Sequence, residues 1–154
     1  FTRLEEIMFV PGGGTRQSSV LAALRALRET DPEIVLIHDG ARPWCTPATA
    51  SAVALRALEA GACAPAAAAV DAMKILSRDG FIIDHLCRET TYRIQPPQGF
   101  VYRDSLDAHE KASLDGGLYI DDTEIFGRYI GAVATIPGDD SNRKVTYQED
   151  LAGL

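Results

Sequence analysis

The stretch Ile34-Val35-Leu36-Ile37-His38-Asp39-Gly40-Ala41-Arg42-Pro43 decides how this chain is read. Four apolar residues in succession, three of them β-branched, read as a buried strand. The run stops on a carboxylate, a glycine and an arginine. A strand that ends this way sets charged groups at its C-terminal edge, where open α/β sheets hold their ligands. Asp39-Gly40 alone would be an ordinary turn; the segments around it argue for more.

On the N-terminal side, Ile7-Met8-Phe9-Val10 reads as a short buried strand broken by Pro11-Gly12-Gly13-Gly14. A helix follows over about 18–29, with Val20, Leu24 and Leu27 on one face. Asp31-Pro32 turns the chain into the strand at 34–37. On the C-terminal side, Thr46-Pro47 is an N-cap followed by proline at the first helical position, which predicts a helix to about Ala60 that stops at Gly61. The alanine-rich run 62–70 is helical by propensity, but Pro65 and its place between a helix stop and Asp71 favour a buried strand. Residues 73–76 and 81–83 read as a hairpin about Ser77-Arg78-Asp79-Gly80, and 90–94 as further extended chain. Gln95-Pro96-Pro97-Gln98 is a rigid loop. Helices near 103–113 and 121–129, strands at 132–137 and 144–146, and a last helix opening at Glu149-Asp150-Leu151 complete the pattern.

Strands alternating with helices predict an α/β domain with a mostly parallel sheet and helices on both faces. The extended segment at about 72–94 interrupts the alternation and reads as a projecting β-arm, a candidate dimerisation element. At 154 residues, 46% hydrophobic and 24% charged, the chain is one domain with a real core. A net charge of −7 argues against a nucleic-acid-binding surface but not against a nucleotide, which a few local cations can hold. Cys45, Cys63 and Cys87 are scattered without a CxxC pair and read as reduced thiols of a cytoplasmic protein. No apolar run approaches a membrane span and no signal peptide is recognisable. The opening Phe1-Thr2-Arg3-Leu4-Glu5-Glu6 reads as the interior of a longer protein.

Gly12-Gly13-Gly14, between a strand and a helix start, offers backbone N–H groups and the positive end of a helix dipole to a phosphate or a base. It matches neither a P-loop nor GxGxxG. Arg16, Ser18 and Ser19 add donors there. Asp39 suits a divalent cation or a sugar hydroxyl, and Arg42 suits a phosphate through bidentate contacts. Asn142-Arg143-Lys144 sets an amide and two cations after the acidic Gly138-Asp139-Asp140. Asp121-Asp122 with Glu124 is either a metal site or a set of acidic caps on a helix, and the caps are favoured. His38 reads as a structural residue at the strand end; His85 and His109 have no partner pattern.

Taken in order, these segments resemble the 2-C-methyl-D-erythritol 4-phosphate cytidylyltransferase family of non-mevalonate isoprenoid synthesis. The matching runs are residues 12–20, 38–43, 70–74, 95–100, Asp121-Asp122, 142–146 and 149–151. The resemblance implies a Rossmann-like fold with a β-arm that forms a homodimer. It also implies Mg²⁺-dependent transfer of CMP from CTP to methylerythritol phosphate with loss of pyrophosphate. By resemblance, Gly13, Gly14, Ser19, Asp39, Gly40 and Lys144 would bind CTP. Lys144, Asp39 and Arg88 would be catalytic, with Asp39 at the metal. Arg42, Asp121 and Arg88 would serve the acceptor, Arg88 reaching across from the partner's arm. The acceptor phosphate is already a nucleophile, so positioning and charge neutralisation suffice and no general base is demanded.

Two departures from the family pattern stand out. Its opening strand, glycine-rich loop, arginine and lysine would precede Phe1, which implies poor turnover by residues 1–154 alone. Its usual threonines are replaced by Ala72, Pro96 and Asp121, which leaves room for another acceptor such as ribitol 5-phosphate, or for a non-catalytic dimerising remnant.

Overall fold

A computed structural model describes residues 7–153, with side chains through Asp150; the reading of residues 1–6 as the interior of a longer chain falls outside it. Helix α1 spans Arg16–Ala26, strand β1 Ile34–Ile37, α2 Pro47–Ala60, β2 Ala62–Ala68, β3 Lys74–Leu76, β4 Ile82–His85, β5 Tyr92–Ile94, β6 Gln98–Val101, α3 Tyr102–Asp115, α4 Asp122–Tyr129 and β7 Ala134–Pro137. Short 3₁₀ turns lie at Arg88–Thr90 and Gln148–Gly153.

Five strands form the main sheet in the order β1-β6-β2-β5, with β7 also paired to β2. The α/β class holds, and the sheet is mixed. β1, β2 and β7 point one way, whereas β6 lies antiparallel between β1 and β2, and β5 runs antiparallel to β2. β6 is the strand the sequence conceals. Its Gln-Gly-Phe-Val has no alternation to mark it, and its glycine is a packing device. A Cβ at Gly99 would stand 2.7 Å from Val53 Cγ1 and 3.2 Å from Ala57 Cβ, so only glycine lets α2 lie this close to the sheet.

Helices cover both faces, as the alternation predicts. On one side Leu24 of α1, Val35, Ala62, Phe100 and Phe126 of α4 form a core, with Phe100 and Phe126 ring centroids 5.3 Å apart. On the other, Val53 and Ala57 of α2 pack on Cys63. Neighbouring residues Ala62 and Cys63, or Gly99 and Phe100, thus face opposite layers, the two-residue period of a strand buried on both sides. The alanine-rich run is a strand because it lies between these layers, where small side chains let helices approach from both directions. Thr46 caps α2 by accepting the Thr49 N–H at 3.1 Å, and Gly61 ends it with φ of 89°, a conformation glycine adopts without strain.

Three local expectations change. Residues 7–10 join no sheet among the described residues, and Ile7, Met8 and Phe9 are exposed: four apolar residues become a strand only against a partner edge. Residues 144–146 pair with no strand among the described residues; Val145 N–H donates to the Ala41 carbonyl at 2.8 Å and Thr146 N–H to Asp150 Oδ2 at 2.7 Å. The arm is narrower than 72–94. Among the described residues β3 and β4 pair only with each other, with every residue of both strands exposed, whereas β5 pairs with β2 and belongs to the main sheet.

Candidate active site

The C-terminal ends of β1 and β7 and the N-terminal end of β6 converge, and the loops there carry most of the singled-out residues. After β1 the chain turns through Arg42 N–H to the Asp39 carbonyl at 3.0 Å. His38 Nε2 donates to the Arg42 carbonyl at 2.9 Å and locks the turn, the structural part expected of it. Asp39 is thereby held at the strand end. Arg42 Nε stands 3.6 Å and Lys144 Nζ 3.7 Å from its Oδ2.

The loop after β7 brings Lys144 there. Gly138 N–H donates to the Ala66 carbonyl at 2.9 Å. Gln95 and Asp139 exchange two hydrogen bonds, at 2.8 and 3.0 Å, and buried Asn142 donates Nδ2–H to the Pro96 carbonyl at 2.7 Å. Arg42 Nη1 donates in turn to the Asn142 carbonyl at 2.6 Å. Asn142 is therefore a structural anchor. Arg143 stacks over the Trp44 ring at 4.8 Å, a cation–π contact that turns it away from Asp39. Of the three residues Asn142-Arg143-Lys144, only Lys144 faces the centre.

The glycine loop is stapled to the start of α1. Thr15 and Ser18 form a capping box, and Gly13 N–H donates to Ser19 Oγ at 3.0 Å. A Cβ on Gly13 would lie 2.2 Å from Ser18 Oγ, so this glycine is required by close approach; Gly14 stands in open space. Ser19 lines a cavity of about 450 Å³ with Arg16, His38, Asp39 and Gly40. A second, of about 280 Å³, is lined by Arg16, Asp39, Arg42, Pro96, Asp121 and Lys144. The two adjoin at Arg16 and Asp39.

Asp121 caps α4, accepting from Glu124 N–H at 3.0 Å and Thr123 Oγ1 at 2.7 Å, and takes Gln98 Nε2–H at 3.0 Å on its other oxygen. It borders the second cavity with its carboxylate already engaged. Glu124 accepts from Ile120 N–H at 2.8 Å and Asp122 turns inward, so the acidic run is a set of caps and anchors, as the preferred reading had it. Among the described residues no group of three or more His, Cys, Asp or Glu side chains is gathered as a metal cage.

Sequence reasoning left His109 without a partner, and the structure supplies one. Asp122 is wholly buried, takes a bidentate fork from Arg16 at 3.0 and 2.5 Å, and faces His109 Nε2 at 3.0 Å. Burial works to raise the Asp122 pKa; hydrogen bonds from His109 and Arg16 outweigh it and hold the carboxyl below the usual range. The signal was present: Tyr102, Ser105, Ala108, His109 and Ala112 share the buried face of α3. Gln98 was also missed, inside a segment read as a loop. Arg88, expected to act across a dimer, and Ala72, which stands at a family threonine position, lie apart from the centre of their own chain. Arg88 is exposed in the 3₁₀ turn beyond the arm, and Ala72 is exposed before β3. Among the described residues, three of the four buried side-chain polar atoms that lack a partner (Arg42 Nε, Gln98 Oε1 and Asn142 Oδ1) belong to these loops and the start of β6.

A carboxylate between cations, at strand ends and beside two adjoining cavities, gives this α/β domain a charged cleft at the edge where such sheets hold ligands. The chain belongs to the IspD family, 2-C-methyl-D-erythritol 4-phosphate cytidylyltransferase, whose family model matches residues 2–153. It is 40% identical over 144 residues to a bifunctional enzyme IspD/IspF of Rhodopseudomonas palustris (strain HaA2), covering 93% of this chain and 36% of that protein. It is 40% identical over 142 residues to the 2-C-methyl-D-erythritol 4-phosphate cytidylyltransferase of Clostridium novyi (strain NT), covering 92% and 61%. The crystal structure of 4-diphosphocytidyl-2C-methyl-D-erythritol synthase from Anaerococcus prevotii DSM 20548 superposes with a TM-score of 0.86 at 30% identity, covering 96% of this chain and 65% of that one. The chain thus spans about a third of the bifunctional relatives and under two thirds of the Clostridium protein.

Proposed function

We propose that this chain forms the larger part of a CTP-dependent cytidylyltransferase that acts on 2-C-methyl-D-erythritol 4-phosphate in the cytoplasm. The observation that carries the reading is the adjoining pair of cavities at Asp39, with Lys144 and Arg42 leaning on its carboxylate, in a chain of this family. The cavity beside Ser19 takes the cytidine nucleotide. The cavity beside Arg42 and Asp121 takes the acceptor. An acceptor phosphate oxygen attacks the α-phosphorus of CTP, the bond to the β-phosphate oxygen breaks, and pyrophosphate leaves. Lys144 neutralises charge building on the α-phosphate, and Arg42 orients the acceptor phosphate.

Asp39 fits Mg²⁺ as the single protein carboxylate of a site whose other oxygens come from the nucleotide and water, since Mg²⁺ is commonly bound this way. When bound, the ion supplies charge neutralisation between the phosphates. The exposed hairpin supports a homodimer in which Arg88 of each arm serves the partner's acceptor cavity. Ile75, Leu76, Phe81, Ile82 and Ile83 of the arm are exposed, and a second copy would cover them.

The test is pyrophosphate release by the protein at its natural full length with CTP and Mg²⁺, offering methylerythritol phosphate and ribitol 5-phosphate separately. Release with methylerythritol phosphate alone is expected. Release only with ribitol 5-phosphate, or with neither, would overturn the proposal.

A further inference from the structure

We propose that Arg16 is a third cation of the transfer centre, serving nucleotide and acceptor together, and that Asp122 and His109 are the positioning residues that aim it. The inference rests on the cytidylyl-transfer reading above.

Arg16 lines both cavities, as does Asp39. On that reading of the two cavities, Arg16 borders the junction where the attacking acceptor phosphate and the α-phosphate would meet. The two-point fork to Asp122 fixes the plane of the guanidinium as well as its position. That fork uses one N–H of each terminal nitrogen, and three N–H groups have no other acceptor among the described residues. The side chain is 43% exposed, whereas the Asp122 side chain behind it is 0% exposed, so the charged face of the pair is the arginine.

The support behind Asp122 is equally directed. His109 Nε2 faces Asp122 Oδ1 at 3.0 Å while Nδ1 donates to the Ser105 carbonyl at 2.8 Å, so the ring cannot swing. A mere tie between α1 and α4 would not need a carboxylate and an imidazole in the interior. Ion pairs of this kind cost desolvation and are often no better for stability than apolar packing. What they supply is orientation. Arg42 and Lys144 approach Asp39 itself, so their charge is partly cancelled inside the centre. The counter-ion of Arg16 lies outside it.

The experiment uses the full-length enzyme and compares wild type with Arg16→Ala, Arg16→Lys and Asp122→Asn. Arg16→Ala is expected to lower kcat/KM about 10²-fold for both substrates, the scale of removing one transition-state donor. Millimolar methylguanidinium should restore part of that rate. Arg16→Lys keeps the charge but loses the fork; it should fall at least tenfold, show no rescue, and carry the test if Arg16→Ala does not fold. Asp122→Asn should lower kcat more than it raises either KM, and should add little to the loss in Arg16→Ala, because both act through one group. Folded Arg16 variants within threefold of wild type, or a loss that tracks only the fall in Tm with no rescue, would overturn the inference and leave Arg16 a helix tie. Wild type that turns over no CTP would instead overturn the function proposed above.

Discussion

Lys144 is held at the centre only by a loose ion pair: its Nζ is 3.7 Å from Asp39 Oδ2, too far for a hydrogen bond, and half the side chain is exposed. It is placed to meet an anion that enters the cavity. Lys144→Gln should therefore leave Tm nearly unchanged and lower kcat by about 10²–10³-fold, as loss of a transition-state donor does; steady-state kinetics beside a thermal melt would check this. A second residue prediction concerns acid stability. Asp115, at the end of α3, accepts from the hydroxyls of Tyr119 and Tyr129 and from Gly117 N–H, which lower its pKa to about 2. A carboxyl depressed in the fold contributes stability that is whole above its unfolded pKa, about 3.9, and is lost as pH falls through the folded value. The wild type should exceed Asp115→Asn in urea midpoint at about pH 5, with the gap closing toward about pH 2. A gap that widens on acidification would contradict the assignment.

At the scale of elements, β6 shows both what could be read in the sequence and what could not. The helix α2 was legible to the residue, because Thr46-Pro47 and Gly61 are chemical signals that act locally. The strand β1 and its charged end were legible for the same reason. β6 was not, because nothing within Gln98–Val101 distinguishes it from the loop before it; its neighbours make it a strand. The site divides the same way. Asp39, Arg42 and Lys144 could be named from motif and order. The Arg16–Asp122–His109 link joins residues far apart in the chain and becomes visible only once α1, α3 and α4 are packed. The contact of β6 with α2 predicts that Gly99→Ala will cost about 1–3 kcal/mol. A methyl there meets Val53, Leu36 and Ala57 within 3.2 Å. A fall of several degrees in Tm would be its signature, and an unchanged Tm would mean that α2 yields.

For the whole molecule, the arm is the feature that the core does not explain. Among the described residues its two strands pair only with each other, and its apolar side chains face solvent in the single chain. Ile83→Glu on the arm should turn a dimer into a monomer by analytical ultracentrifugation, and should abolish turnover if Arg88 serves the partner's cavity. A dimer that persists would place the interface elsewhere.

The loop between Gly138 and Val145 has no regular secondary structure, yet six of its amides are spoken for. Gly138 donates to Ala66, Asp139 to Gln95, Ser141 and Asn142 to Asp139, Arg143 to Ser141 and Val145 to Ala41. In amide hydrogen exchange it should behave like the sheet, with the protons that tie it to the sheet and its neighbours protected to nearly the depth of β2 and released only by the larger openings of the domain. The cation at its tip is then carried on a mount as stiff as a strand. Ligands would come and go past Lys144 while its backbone holds still, and any gating would fall to other segments.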